Sequence, residues 1–330
     1  MLFRSRLLTL RARLRERFLA ARPDVFIGID APEFNLRLAR QLKEAGIRTV
    51  QYVSPQVWAW RQGRVRTIGA ACDLVLCLLP FETEFYAEHG VAARFVGHPL
   101  ADQIPLVPDR SGARAALGLD PGSTVIALLP GSRLGEVSRL AAPFIQAAAA
   151  LARQRPAWGY LAPMASAATR EVFEKEVAQV PGAPAIQVLN GGAQQALAAA
   201  DAVLVASGTA TLETLLTGRP MVVAYRVSGL TAFLLRTMGL VKVRYFSQPN
   251  LLAGRALVPE FFQEQVTGEA LAKALLEQLE EPAKVHELQQ EFTAIHRTLR
   301  LDGAARAADA ILSLLGRAQL ADPDAHAARL

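Results

Sequence analysis

From Val25 to Tyr225, short apolar runs alternate with stretches whose apolar residues recur every three or four positions. The runs predict strands at Val25–Asp30, Thr49–Val53, Leu74–Leu79, Arg94–Val96, Thr124–Leu129, Gly159–Pro163, Ile186–Leu189, Ala202–Ala206 and Met221–Tyr225. The periodic stretches, such as Glu33–Ala45, Glu136–Gln154 and Thr209–Leu216, predict amphipathic helices. Alternation over this length is the pattern of an α/β fold with parallel sheets covered on both faces. From Gly268 onward the pattern is helical and ends in a polar tail. The prolines and glycines of Leu100–Ser123 separate two strand–helix sets. The second set is complete, whereas the first is short of one strand–loop–helix unit ahead of Val25.

The N-terminus changes the picture. Phe3, Leu7, Leu10, Leu14 and Phe18 fall on one helical face, with arginines on the others. Residues 1–22 hold seven arginines and one acid, which accounts for the whole net charge of +6. The pI of 9.7 therefore belongs to one segment on a neutral body, and a nucleic-acid-binding body is excluded. Such a helix fits an anionic membrane surface, or a stripe packed on the next domain as most amphipathic helices are. Its single serine and direct run into a strand argue against a transit peptide. No apolar run is long enough to cross a membrane, and no signal-peptide block is visible. At 330 residues and 52% hydrophobic, with a mean hydropathy of +0.21, the chain can bury two cores. Cys72 and Cys77 lack zinc-ligand spacing and fit a reducing compartment.

In open α/β sheets ligands gather at the carboxyl ends of strands, so candidate chemistry is sought there. Asp30 ends the first strand, and two readings stay open: a general base held rigidly, or a cap for the helix that Pro32 begins. Trp58, Trp60 and Arg61 form an aromatic–basic loop after the second strand, suited to a sugar face or acyl chain, or to core packing. His98 follows another strand, either structural or a proton-transfer group. Pro130-Gly131-Ser132-Arg133 joins a strand to a helix. Its glycine and helix N-terminus suit a phosphate and Arg133 can pair with it, although a plain turn reads the same way. Ser207-Gly208-Thr209 repeats that logic. Glu213 lies in the early turns of its helix, as a ribose contact or the acid of a capping box. Pro249-Asn250 is a weaker turn signal. Two phosphate-type loops, set against a carboxylate and an aromatic loop, describe a sugar-nucleotide site in a two-domain cleft.

Taken together, Gly28-Ile-Asp-Ala-Pro-Glu-Phe-Asn35, Tyr52-Val-Ser-Pro-Gln-Val-Trp-Ala-Trp-Arg61, Leu78-Leu-Pro-Phe81, Phe95-Val-Gly-His-Pro99, Leu128-Leu-Pro-Gly-Ser-Arg133, Ala206-Ser-Gly-Thr-Ala210 and Pro249-Asn-Leu-Leu-Ala-Gly-Arg255 resemble, in order, the bacterial lipid-A-disaccharide synthase family. The resemblance implies a GT-B fold of two Rossmann-like domains. Residues 1–105 would form the acceptor side, 106–285 the UDP-sugar side, and 286–330 helices packing back on the first domain or a partner. It implies an inverting transferase joining UDP-2,3-diacylglucosamine to 2,3-diacylglucosamine 1-phosphate (lipid X), with no metal or cofactor. The same fold also hosts UDP-sugar epimerases, the alternative reading, and a chain that binds UDP without turnover is a third. Carried over, Asp30 is the base for the acceptor hydroxyl and Arg133 the diphosphate arginine. Glu213 is the ribose contact and Asn250 a further donor-site residue. Gly131, Ser132, Ser207, Gly208 and Thr209 line the donor, and Asn35, Trp58, Trp60, Arg61 and His98 the acceptor or acyl side. The family works in the cytoplasm on the inner membrane and is often dimeric. Its members begin with a strand and a Gly-Glu-x-Ser-Gly-Asp-type loop that has no counterpart here, which predicts an incomplete first domain with an uncovered sheet edge.

Overall fold

The computed structural model describes residues 2–60, 62–227 and 244–317. Their described residues fall into two compact units, Met1–Asp102 with Thr298–Leu330, and Gln103–Gly239 with Val243–Arg297. The division between the units falls after Asp102 and after Arg297. In the first stretch run α1 (Leu2–Ala21), β1 (Val25–Ile29), α2 (Pro32–Glu44), β2 (Arg48–Tyr52), α3 (Val57–Trp60), α4 (Val65–Ala71), β3 (Leu74–Cys77), α5 (Phe81–Glu88), β4 (Ala93–Phe95) and α6 (Pro99–Gln103). Then follow α7 (Arg110–Ala116), β5 (Val125–Leu129), α8 (Leu134–Gln154), β6 (Gly159–Met164), α9 (Ala167–Gln179), β7 (Ile186–Asn190), α10 (Ala193–Ala199), β8 (Ala202–Ala206), α11 (Thr209–Leu216) and β9 (Met221–Tyr225). Beyond these lie α12 (Gln248–Ala253), β10 (Glu260–Phe262), α13 (Gly268–Glu280), α14 (Pro282–Leu299) and α15 (Gly303–Leu314).

The first unit is a parallel sheet in the order β1-β2-β3-β4. Its register sets Ile29 beside Tyr52, Tyr52 beside Leu76 and Cys77 beside Phe95, so the carboxyl ends line up. β3 is buried along its whole length, the mark of a strand covered on both faces. One face carries α2, whose Leu38, Ala39 and Leu42 pack with Phe26, Val65, Ile68 and Val75. The other carries α15, whose Ala307 and Ala310 pack on Val50, Leu74, Leu76 and Val96. The Asp102 carboxylate anchors that helix by accepting the Asp302 and Gly303 N–H groups at 3.0 and 2.7 Å. The stripe of α1 divides: Leu14 and Phe18 pack against the core, joined by Leu19 beside the stripe, while Leu7 and Leu10 are 38% and 48% exposed.

The second unit is a parallel sheet in the order β10-β9-β8-β5-β6-β7. The chain winds outward from β5 through β6 to β7, then returns to the other flank of β5 and runs outward through β8 and β9 to β10. Neighbouring strands β5 and β8 therefore point their following loops in opposite winding directions, which makes the gap between them the topological switch point. Val137, Leu140, Phe144 and Leu151 of α8 cover this sheet together with Leu271 and Leu275 of α13. The stretch expected to be a linker contains α7, whose Arg114 is 1% exposed and bonds Asp201 and the Ala199, Asp120, Pro121 and Ser123 carbonyls. Among the described residues no helix is long and apolar enough to cross a membrane.

Candidate active site

β1 ends at Ile29 and the chain turns at once. Asp30 and Ala31 take φ of +49° and +38°, a left-handed conformation that non-glycine residues rarely adopt. Hydrogen bonds hold them there. The Asp30 N–H donates to the Tyr52 carbonyl at 2.9 Å. Asn35 Nδ2 donates to the Ile29 and Asp30 carbonyls at 3.1 and 2.8 Å, and Gln51 Nε2 donates to the Asp30 carbonyl at 3.0 Å. Gly28 leaves the space, because a Cβ there would lie 2.9 Å from Asn35 Cβ and 3.1 Å from Gln51 Oε1. The Asp30 carboxylate itself is exposed and accepts no hydrogen bond among the described residues. The capping alternative for Asp30 is not what the structure contains: Ala31 is the N-cap of α2, without a side-chain cap, and Pro32 opens the helix. Asn35 shapes the turn, and so does Gln51, which the sequence reading passed over. Its only signal was an amide near the carboxyl end of β2, next to Tyr52.

Trp58 is half-buried in α3. Its indole N–H donates to Glu82 Oε1 at 3.2 Å and its ring meets Phe81 edge-on at 4.9 Å. Trp60 closes α3, and Arg61 lies outside the described residues. His98 is half-buried after β4, and its Nδ1 accepts the Leu100 N–H at 3.2 Å, which leaves the proton on Nε2. Burial lowers its pKa to about 4 against the opposing pull of Asp102. The ring is therefore neutral near pH 7 and offers an N–H donor.

At the switch point of the second unit, two loops behave differently. In Pro130-Gly131-Ser132-Arg133, Gly131 has φ +128° and a Cβ there would meet Glu136 Cβ at 2.4 Å. Glu136 folds back over the loop. Its Oε2 accepts the Ser132 and Arg133 N–H groups at 3.0 and 3.3 Å, and its Oε1 accepts the Arg133 guanidinium at 2.9 Å. A carboxylate of their own helix thus covers the Ser132 and Arg133 amides, as third-position acids do at helix starts. The Arg133 side chain is 83% exposed and keeps its other donors. In Ser207-Gly208-Thr209 the opposite holds. Among the described residues no side chain caps α11, and Gly208 sits at φ +148°. The Ser207 hydroxyl is committed to the Phe246 carbonyl at 3.0 Å, whereas Thr209 is exposed. Glu213 is half-buried, burial raises its pKa, and its carboxylate accepts no hydrogen bond among the described residues. The capping-box acid is Glu136, not Glu213.

Asn250 is 1% exposed and uses every hydrogen-bonding position of its side chain inside the protein. Nδ2 donates to the Val258 carbonyl and Glu260 at 2.9 and 2.8 Å, and Oδ1 accepts the Leu257 and Val258 N–H groups at 2.7 and 2.8 Å. Asn250 thereby fixes the loop between α12 and β10. Glu260 shares that task through Ser247, and its strand, three residues long, gave no alternation to find.

A family model described as lipid-A-disaccharide synthetase matches residues 2–311. The chain belongs to this family. The lipid-A-disaccharide synthase of Pseudomonas aeruginosa (strain UCBPP-PA14) is 54% identical over 311 residues, covering 94% of this chain and 81% of its own length. The lipid-A-disaccharide synthase of Xanthomonas campestris pv. campestris (strain 8004) is 50% identical over 317 residues, covering 96% and 72%. Among solved structures, the UDP-GlcNAc 2-epimerase of Neisseria meningitidis bound to UDP-GlcNAc superposes with a TM-score of 0.58 at 10% identity, covering 89% of this chain and 80% of the epimerase. That likeness is one of fold, the GT-B architecture shared by glycosyltransferases and epimerases. The epimerase alternative has only that support, while the synthases share half or more of the aligned residues with this chain.

Proposed function

We propose that the protein is an inverting glycosyltransferase that joins UDP-2,3-diacylglucosamine to 2,3-diacylglucosamine 1-phosphate. The anomeric carbon loses its bond to the diphosphate oxygen and gains one to the acceptor 6-oxygen, with inversion, and UDP leaves. Family membership supports the reaction, and the Asp30 turn carries the assignment of its base. A strained strand-end carboxylate, held by its backbone and without a hydrogen-bond partner among the described residues, is suited to take the acceptor hydroxyl proton as the oxygen attacks. His98 stays neutral and can only donate. On the donor side, Arg133 and the Gly208 and Thr209 amides at the start of α11 would take the charge developing on the diphosphate, the Ser207 N–H being held by the Ala224 carbonyl at 2.9 Å. Ribose hydroxyls would return to Glu213 the hydrogen bonds that burial has removed. Gly131 and Asn250 shape the donor loops, and Trp58, Trp60 and Arg61 serve the acceptor. The exposed leucines and the arginines of α1 suit an anionic lipid surface, where both substrates reside.

The test is a two-part assay. Incubated with both substrates, the protein should release UDP and form the disaccharide. Asp30→Asn should abolish transfer while UDP affinity stays within about twofold, the scatter expected when a ligand contact is untouched. Equal loss of both would make Asp30 a structural residue.

A further inference from the structure

Glu82 is a buried ionisable group that the proposed chemistry leaves unused. It sits in the first turn of α5, is 2% exposed, and has no ion-pair partner among the described residues. Its two oxygens serve two different neighbours. Oε1 accepts the Trp58 indole N–H at 3.2 Å, and Oε2 accepts the Leu79 N–H at 3.1 Å. The same helix braces the loop before Trp58 at further points. The Tyr86 hydroxyl is 3.1 Å from Ser54 Oγ and 3.5 Å from the Pro55 carbonyl, and Phe81 meets the Trp58 ring. An uncompensated carboxylate in such a place costs the fold more than a neutral group would. What only the carboxylate provides is acceptance of two N–H groups at once with no donor of its own.

We infer that Glu82 is the positioning residue of the Ser54–Trp60 loop, fixing the Trp58 indole on the acceptor side through its two accepted hydrogen bonds. The inference rests on the reading of that loop as part of the acceptor site. Protonation leaves one oxygen a hydroxyl, a weaker acceptor than a carboxylate oxygen, so one of the two bonds weakens and the loop loosens. Burial pushes the Glu82 pKa up to about 7, opposed by its hydrogen bonds from Leu79 and Trp58. The titratable groups facing it are Cys77 of β3 and Tyr86 of α5, both raised by burial and so neutral in this range, with Ser54 and Trp58 completing its surroundings. The switch between the two states therefore falls near neutral pH.

Fluorescence tests this without an activity assay. The chain has three tryptophans, Trp58, Trp60 and Trp158, so Trp60→Phe with Trp158→Phe leaves Trp58 as sole reporter. Its emission between pH 5.5 and 8.5 should follow one transition centred near pH 7, and Glu82→Gln in the same background should abolish it. In the otherwise native enzyme, Glu82→Gln should raise the acceptor KM roughly fivefold to tenfold, as for one lost hydrogen bond, and remove the pH dependence of kcat/KM near 7. UDP affinity should be unchanged, which also reports that the variant is folded. A flat emission profile in the reporter protein, or a transition that survives Glu82→Gln, overturns the inference. A transition abolished by Glu82→Gln in a protein that makes no disaccharide upholds the Glu82–Trp58 link and overturns only the assigned reaction.

Discussion

Arg133 and Glu136 show how one side chain can disguise another. An anion arriving at Ser132 and Arg133 meets a carboxylate already bonded to both amides and to the guanidinium. Arg133→Ala should weaken UDP binding by about 1.5 kcal/mol, the lower end for a charged hydrogen bond because the group is so exposed. That is roughly tenfold in Kd by titration calorimetry. Glu136→Gln removes the competing charge and should tighten UDP binding by about threefold to tenfold, a single charged contact's worth. Unchanged or weaker binding would mean that UDP leaves Glu136 where it is and uses only the free donors of Arg133. The capping itself was legible, since an acid three residues into a helix is its sequence signal; that the same carboxylate also engages the Arg133 guanidinium was not. Asp30 was legible because its strand end was legible. Its anchors were not, since Gln51 lies twenty-one positions away and meets it only across the sheet.

The nine strands expected from apolar runs are all present, their ends matching or shifted by one or two residues, most readily where a buried parallel strand such as β3, β5 or β8 reads as a continuous apolar run. β10 escaped: Glu-Phe-Phe is too short to show a period, and its pairing with β9 depends on Glu260 holding the preceding loop. The helix α1 was legible as a helix but not in its division of labour. Spacing alone cannot say that Leu14 and Phe18 meet a core while Leu7 and Leu10 meet none. Replacing Arg11, Arg13, Arg15 and Arg17 by Gln should reduce co-sedimentation with anionic vesicles by about 1 kcal/mol per charge near the surface. Unaltered co-sedimentation would remove α1 from membrane binding, leaving it a brace on α2.

Two buried titrations shape the stability of the protein against pH. His98 is held below its ordinary pKa, so the unfolded chain binds its proton first, and stability falls as pH drops from about 6.5 towards 4. Glu82 is held above its ordinary value, so the folded protein keeps its proton longer, and stability falls as pH rises from about 4.5 to 7. The two oppose each other in the overlapping window, which flattens the profile there. Glu82→Gln lacks the second effect. Its Tm relative to the native protein should therefore climb between pH 5 and 7 and level off above. A difference independent of pH in differential scanning calorimetry would show that Glu82 titrates at its ordinary value.

The docking of α15 through Asp102 has a further consequence, for the order in which the protein is made. About 200 residues separate Asp102 from the helix that it caps, and Ala307 and Ala310 cover Val50, Leu74, Leu76 and Val96. A ribosome adding about 5–20 residues per second needs roughly ten to forty seconds to cross that interval. Throughout it the first sheet stands with one apolar face bare, while the strands of the second, β5 to β10, emerge as one uninterrupted stretch. The half of the chain synthesised first is therefore the half completed last, and during that wait its uncovered face is a surface for a chaperone to hold.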